Sequence, residues 1–156
     1  MRADTKARLD ILHKLARERI LVLDGSWGVM LQGFKLSEAD YRGTRFSNWA
    51  RDLKGNHDLL CVTKPEVVRD ISLAYLDAGA DIISTNSFTA TSVSQADYGL
   101  ENHCAEINLA SARIARAACD EVTKRDPSKP RFVAGSLGPP NRTASISPDV
   151  NNPAFR

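Results

Sequence analysis

Three short runs of small and polar residues each follow an apolar stretch: Asp24-Gly25-Ser26, Ser84-Thr85-Asn86-Ser87, and Gly135 to Asn141. A carboxylate such as Asp24 can hold an ammonium, and a glycine such as Gly25 exposes backbone N–H to a carboxylate. Together they could grip an amino acid by both charged ends. Asp-Gly is equally a common strand-to-loop turn, and the residues alone leave both readings open. Thr85 and Asn86 add a hydroxyl and an amide, neutral groups suited to orienting a zwitterion; they could also be rim residues satisfied by their neighbours, or cap a following helix. In the third run Asn141 is the candidate contact, followed by Arg142 and Ser145, although loops rich in proline and glycine also serve as plain connections. GSLGPP is no phosphate-binding signature, because it lacks the lysine and the helix that would follow.

Other chemistry-bearing residues are scattered. His13 sits on an expected surface helix, His57 in a loop and His103 at a helix start, and spacing places no serine or cysteine nucleophile beside any of them. Cys61, Cys104 and Cys119 are an odd count without CxxC spacing, so neither a disulfide framework nor a local zinc knuckle is indicated. Cys104 and Cys119 are 15 residues apart. On one helix that is about 22 Å, too far to share an ion. No catalytic residue and no metal ligand is therefore assigned.

The elements that must hold the polar runs follow from periodicity. Leu9, Leu12 and Ala16, widened by Ile11 and Leu15, predict a surface helix over about Thr5 to Glu18. Ile20 to Leu23 reads as a buried strand, and SWGVMLQGF as a short helix. Lys35 to Gly55 shows no sustained period but holds Tyr41, Phe46 and Trp49, which marks a packed excursion rather than a tether. Thr63-Lys64-Pro65-Glu66 matches a capping box opening a helix whose apolar face is Val67, Ile71, Ala74, Tyr75 and Ala78, with Gly79 as its stop. A second strand follows from Ala80 to Ser84, with Ile82 and Ile83 in the sheet interior. A long helix is expected from about Glu101 to Lys124, with Cys104, Ile107, Ile114, Ala118 and Val122 on one face. The break at Asp126-Pro127 leads to a third strand, Arg131 to Ser136. Strand, helix, glycine, strand is the βαβ pattern of a parallel α/β sheet, in which ligands sit outside the carboxyl ends of the strands. All three polar runs fall at such ends.

The chain has 156 residues, 42% hydrophobic and 26% charged, enough for one globular domain with a real core. A formal net charge of +2 and only 6% aromatic residues give no field or stacking platform that argues for nucleic acid. No apolar run approaches the roughly 20 residues a membrane span needs. The basic residues near the amino terminus are interspersed with Asp4, Asp10 and Glu18 and lead into no apolar core of a signal peptide, so a cytoplasmic protein is expected. Three strands without a helix covering the last leave a sheet face bare and an edge unpaired, which suggests the front part of something larger.

VLDGSWGVMLQ, GNHDLLCVTKPEVVRDISLAYLDAGADIISTNSFTAT, ADYGLENHCAEINLASARIARAACDE and VAGSLGPPNRTASISPDVNNPAFR together resemble the homocysteine S-methyltransferase family from Ile20 to Arg156. GNHDLL and NRTASISPDV resemble more narrowly the amino-terminal homocysteine-binding module of cobalamin-dependent methionine synthases. The resemblance implies a (β/α)8 TIM barrel, typically about 250 residues, of which this chain would supply the first three βα units. Residues 1–19 would be an amino-terminal helix and 20–156 an incomplete homocysteine-binding domain. It implies substrate contacts at Asp24, Gly25, Thr85, Asn86 and Asn141; an acidic residue commonly precedes the Thr-Asn pair in that group, where this chain has Ser84. It further implies zinc held by three cysteine thiolates from later strands, keeping homocysteine as a thiolate. The methyl group would come from methylcobalamin, recharged by methyltetrahydrofolate on other modules. None of those cysteines is present, so no cofactor is expected on this segment and it should be inactive alone. The alternatives are part of a betaine- or S-methylmethionine-dependent homocysteine methyltransferase, or a non-catalytic α/β binding module.

Overall fold

The structure, a computed structural model, describes residues 3–139 and 151–152. Its sheet is parallel and small. Strands β1 (Ile82–Ser84) and β2 (Phe132–Ala134) pair in the register Ile82–Phe132, Ile83–Val133 and Ser84–Ala134. The run expected as the first strand lies parallel on the other side of β1 but forms only a single bridge, Leu23 to Ile82.

Side-chain carboxylates explain why that ladder stops. The Ile82 amide donates to Val22 O at 3.1 Å and the Asp24 amide to Ile82 O at 2.9 Å. One step earlier, the ladder would need the Val22 amide to reach the Ala80 carbonyl; it donates instead to Asp81 Oδ2 at 2.9 Å, while the Ala80 amide closes the preceding helix on Tyr75 O. One step later, the Ser84 amide donates to Asp24 Oδ2 at 2.8 Å rather than to the Asp24 carbonyl. The run is also not buried as expected: Ile20 is 88% exposed, and Val22 and Leu23 are more than half exposed. On β1, Ile83 is fully buried and Ile82 half-buried.

The described residues also form seven α-helices: α1 (Ala3–Glu18), α2 (Trp27–Gly33), α3 (Glu38–Arg42), α4 (Leu60–Thr63), α5 (Pro65–Asp77), α6 (Ser92–Gln95) and α7 (Cys104–Arg125). Helix α1 forms as expected but lies loosely, with Leu9 and Ile11 exposed. Arg8 pairs with Asp120 on α7, and Arg19 beyond its end grips Asp81 through two bonds of 2.8 and 2.7 Å. No described helix is long and apolar enough to cross a membrane.

The excursion after α2 is packed, with Tyr41 and Phe46 buried. Ser37 and Asp40 form a capping box at the start of α3. Glu38 then accepts from the amides of Leu53 and Lys54 at 2.8 and 2.6 Å and from Arg42 Nε at 2.6 Å, pinning both ends of the excursion together. The capping box expected at Thr63 does not form. Thr63 is still helical at the end of α4, its hydroxyl donates to Leu59 O, and Lys64 precedes Pro65 without a side-chain cap. Gly79 does end α5, with φ +108°.

Helices α5 and α7 pack on each other and on the sheet. Val68 and Ile71 meet Leu59, Leu60, Leu100 and Ile107 in one core, while Leu76, Ile83, Ala115, Ala118 and Cys119 form a second beneath β1. Of the α7 face expected from the sequence, Ile107, Ala118 and Val122 are buried, whereas Cys104 and Ile114 are only partly so.

Candidate functional site

A cleft of about 460 Å³ opens at the carboxyl ends of the strands. Gly25, Thr85 and Asn86 line it, together with His57, Asp58 and Phe88. Asp24 stands beside the cleft rather than on its wall. Its carboxylate accepts from Trp27 Nε1, the Ser84 amide and the Ser84 hydroxyl at 2.8–2.9 Å, joining the first strand end to the second. Three of its four acceptor positions are thereby occupied, and one on Oδ1 remains. Asn141 lies outside the described residues.

Gly25 is closely packed. A Cβ there would lie 3.2 Å from the Tyr75 hydroxyl, which itself donates to Ser26 O at 2.9 Å. Thr85 belongs to a closed ring. The Ser136 amide donates to Thr85 Oγ1 at 2.8 Å, and the Ser87 hydroxyl donates to Ser136 O at 3.0 Å. Ser87 has one hydroxyl proton, so in the 2.7 Å contact between the two hydroxyls Thr85 is the donor. The ring ties the end of β1 to the loop after β2, and Thr85 acts there as a stitch.

Asn86 is differently placed. Its Nδ2 donates to His57 O at 2.8 Å and faces Cys61 Sγ at 3.6 Å, committing both amide protons. Its Oδ1 carries no hydrogen bond among the described residues. A 6% exposed asparagine on the wall of the cleft thus offers a fixed, unused acceptor, the group an ammonium requires.

His57 and Asp58, for which the sequence alone gave no role, come from the GNHDLL segment. Their placement is tertiary. Asn56 and Gln95, both fully buried, exchange two amide hydrogen bonds of 2.7 and 3.1 Å. Asp58 Oδ2 accepts from the Thr89 amide and hydroxyl, each at 2.7 Å. Burial raises the Asp58 carboxyl above its ordinary range, against the pull of those Thr89 bonds. Burial also lowers His57, whose Nδ1 shares a 2.8 Å bond with the Tyr41 hydroxyl. Burial thus favours the neutral form of the His57 imidazole. His13 and His103 are remote from the cleft; His103 pairs with Glu106 and packs edge-on against Phe46.

The cysteines do not fit a zinc site. All three are free, and no group of three or more histidine, cysteine, aspartate or glutamate residues could hold a metal ion among the described residues. Burial pushes the Cys61 thiol up to about 12 and the Cys119 thiol up to about 11, so both keep their protons. Cys61 donates to Asn86 O and Cys119 to Phe132 O, at 3.3 and 3.4 Å, as packing residues do.

A small parallel sheet covered by helices, with a cleft at its strand carboxyl ends, defines an α/β domain whose cleft lies where ligands of such folds sit. The chain belongs to the homocysteine S-methyltransferase family, whose family model matches residues 21–155. Among solved structures it is similar to the homocysteine methyltransferase MmuM from Escherichia coli. The oxidised form matches at 29% identity and a TM-score of 0.64, over 82% of this chain and 40% of that one. The metallated form matches at 28% identity and 0.62, over 82% and 41%. The chain thus spans about two-fifths of the length of the structures it matches.

Proposed function

We propose that this chain forms part of the homocysteine pocket of a methionine synthase, the first three βα units of a TIM barrel. In this reading a methyl group passes from methyltetrahydrofolate, through methylcobalamin, to homocysteine. The observation that carries it is the unused Asn86 acceptor on the strand-end cleft, beside the open backbone at Gly25, in a chain of this family. The substrate ammonium would meet Asn86 Oδ1, with the negative charge of Asp24 beside the cleft, and its carboxylate the backbone amides at Gly25. Thr85 would hold the wall in shape, and Asn141 would close the cleft from the third loop.

Zinc would supply the Lewis acid that keeps the sulfur as a thiolate. Its cysteine ligands, and the folate- and cobalamin-binding modules, would lie outside these 156 residues. The chain alone is expected to bind homocysteine without methylating it. Calorimetric titration of the purified chain with L-homocysteine tests the first half, with Asn86→Ala expected to weaken binding about tenfold or more. Methionine formation by the same chain from any donor would overturn the second half. The similarity to MmuM keeps a cobalamin-independent homocysteine methyltransferase as the second reading. Methyl transfer from S-methylmethionine or betaine, but not methylcobalamin, by the enzyme that contains this chain would establish it.

A further inference from the structure

A second hollow, of about 410 Å³, adjoins the cleft, and the two share a wall made by Leu31, Gly55 and His57. Its lining differs in charge. Lys35 and Lys54 stand on it with Tyr41 and Gln32, and no aspartate or glutamate does. Of the acids close to these lysines in sequence, Glu38 is taken by Arg42 and the amides of Leu53 and Lys54, Asp40 by Lys64 and Ser37, and Asp58 by Thr89, while Asp52 points to solvent with an oxygen 3.5 Å from Arg42. Neither lysine ammonium forms an ion pair among the described residues. Two lysines without an ion pair, set around one concave surface that no carboxylate lines, suit an anion.

The backbone adds a second observation. Lys35 ends α2 with φ +50°, the single non-glycine residue with positive φ among the described residues. A helix end in this conformation ordinarily takes glycine or asparagine. A lysine there holds a cation on the rim at the expense of backbone strain, the pattern found where a side chain serves a site.

Methyl transfer to homocysteine is a two-substrate reaction, so the second molecule must lie next to the first. Resting on the homocysteine reading above, we propose that the lysine-lined chamber takes a carboxylate or phosphate group of the methyl donor or methyl carrier, with His57 at the junction of the two chambers. The anion would be held by Lys35 and Lys54, leaving the donor's methyl-bearing part directed across the shared wall.

The chemistry can be probed with minimal anions. Inorganic phosphate and glutarate are titrated separately into the ¹⁵N-labelled chain, and into Lys35→Gln, Lys54→Gln and the double variant, and the amide spectra recorded. The expected result is movement of the Lys54, Gly55 and His57 amides by at least one probe, with affinity falling about tenfold or more in the double variant. A preference for phosphate would make the anion held a phosphate group, and a preference for glutarate a carboxylate; either supports the proposal. No movement with either probe, or equal affinity in wild type and double variant, would overturn it. L-homocysteine is titrated in parallel and should bind the double variant within about twofold of wild type. If phosphate or glutarate binds and homocysteine does not, the anion chamber stands while the homocysteine reading, and the assignment of the anion to a methyl donor, fall.

Discussion

Asp81 shows how one side chain can both stop a strand and hold an element in place. Its carboxylate takes two bonds from Arg19 and one from the Val22 amide, and Lys129 stands 3.7 Å away. The Arg19 bonds hold it at about 2, against an ordinary value of 3.8. Because the folded value is below the unfolded one, this stabilisation is complete above about 3.8 and is lost as pH falls through about 2. Allowing for solvent around the partly exposed Arg19, it contributes on the order of 1–2 kcal/mol at neutral pH. Urea unfolding should therefore find Asp81→Asn less stable by that amount at pH 7, with the gap to wild type closing between pH 4 and pH 2; a pH-independent gap would refute the assignment. Lys35 allows a prediction of opposite sign. A left-handed backbone costs a side-chain-bearing residue about 1–2 kcal/mol, partly offset by the entropy glycine loses on folding. Lys35→Gly should raise stability by about 0.5–1 kcal/mol in urea unfolding while weakening anion binding at the lysine-lined chamber. A loss of stability would mean that the positive φ carries no strain.

At the scale of elements, period and punctuation made the long pieces legible. Helices α5 and α7 repeat apolar residues over several turns and are bounded by Pro65, Gly79 and Asp126-Pro127, so their ends could be read almost directly. The expected α5 face is turned: Val67 and Ile71 are buried with Val68, Ser72 and Leu76, while Ala74 and Ala78 are exposed, because the helix meets α7 and the sheet on adjoining sides. Helix α3 has five residues, too few to show a period, and its Ser37–Asp40 capping box emerged only from the structure. The matching pattern at Thr63 misled, because a preceding helical turn had already claimed that residue. The first strand was over-read for a related reason: Ile20 to Leu23 carries a strand's apolar residues, but carboxylates end its ladder on both sides and the described residues leave it exposed. Two isoleucines that look alike in sequence should then behave differently. Ile83→Ala, at 0% exposure in the core beneath β1, should cost about 2–5 kcal/mol. Ile20→Ala, at 88% exposure, should fall within about 0.5 kcal/mol of wild type in the 156-residue chain. Comparable losses in chemical denaturation would show that the first run is buried in solution.

The cleft belongs to no single element; it is assembled from the segments around Gly25, His57 and Asn86 and the loop after β2. Strand ends announced Gly25, Thr85 and Asn86 in the sequence, because a turn from apolar to small polar residues marks the edge of a sheet. His57 and Asp58 were silent, since what brings them to the cleft is pairing across 31 to 39 residues, Asp58 with Thr89 and Asn56 with Gln95. A ligand that touches several of these segments at once binds the folded chain and not the unfolded one, so its affinity must appear as global stability. At a free concentration one hundred times its dissociation constant, L-homocysteine should add about 2.7 kcal/mol. For a chain of this size that raises the midpoint of thermal unfolding by about 5–10 °C. Alanine, which has the same charged ends but no sulfur-bearing arm, should give a smaller shift. Asn86→Ala will lower the unliganded midpoint by itself, because the bond to His57 O is lost, so the informative quantity is the ligand-induced difference within each protein. That difference should nearly vanish in the variant if Asn86 Oδ1 receives the ammonium. An undiminished shift in Asn86→Ala would place homocysteine elsewhere, and no shift in the wild type at millimolar ligand would mean that these strand ends do not by themselves form an amino-acid site.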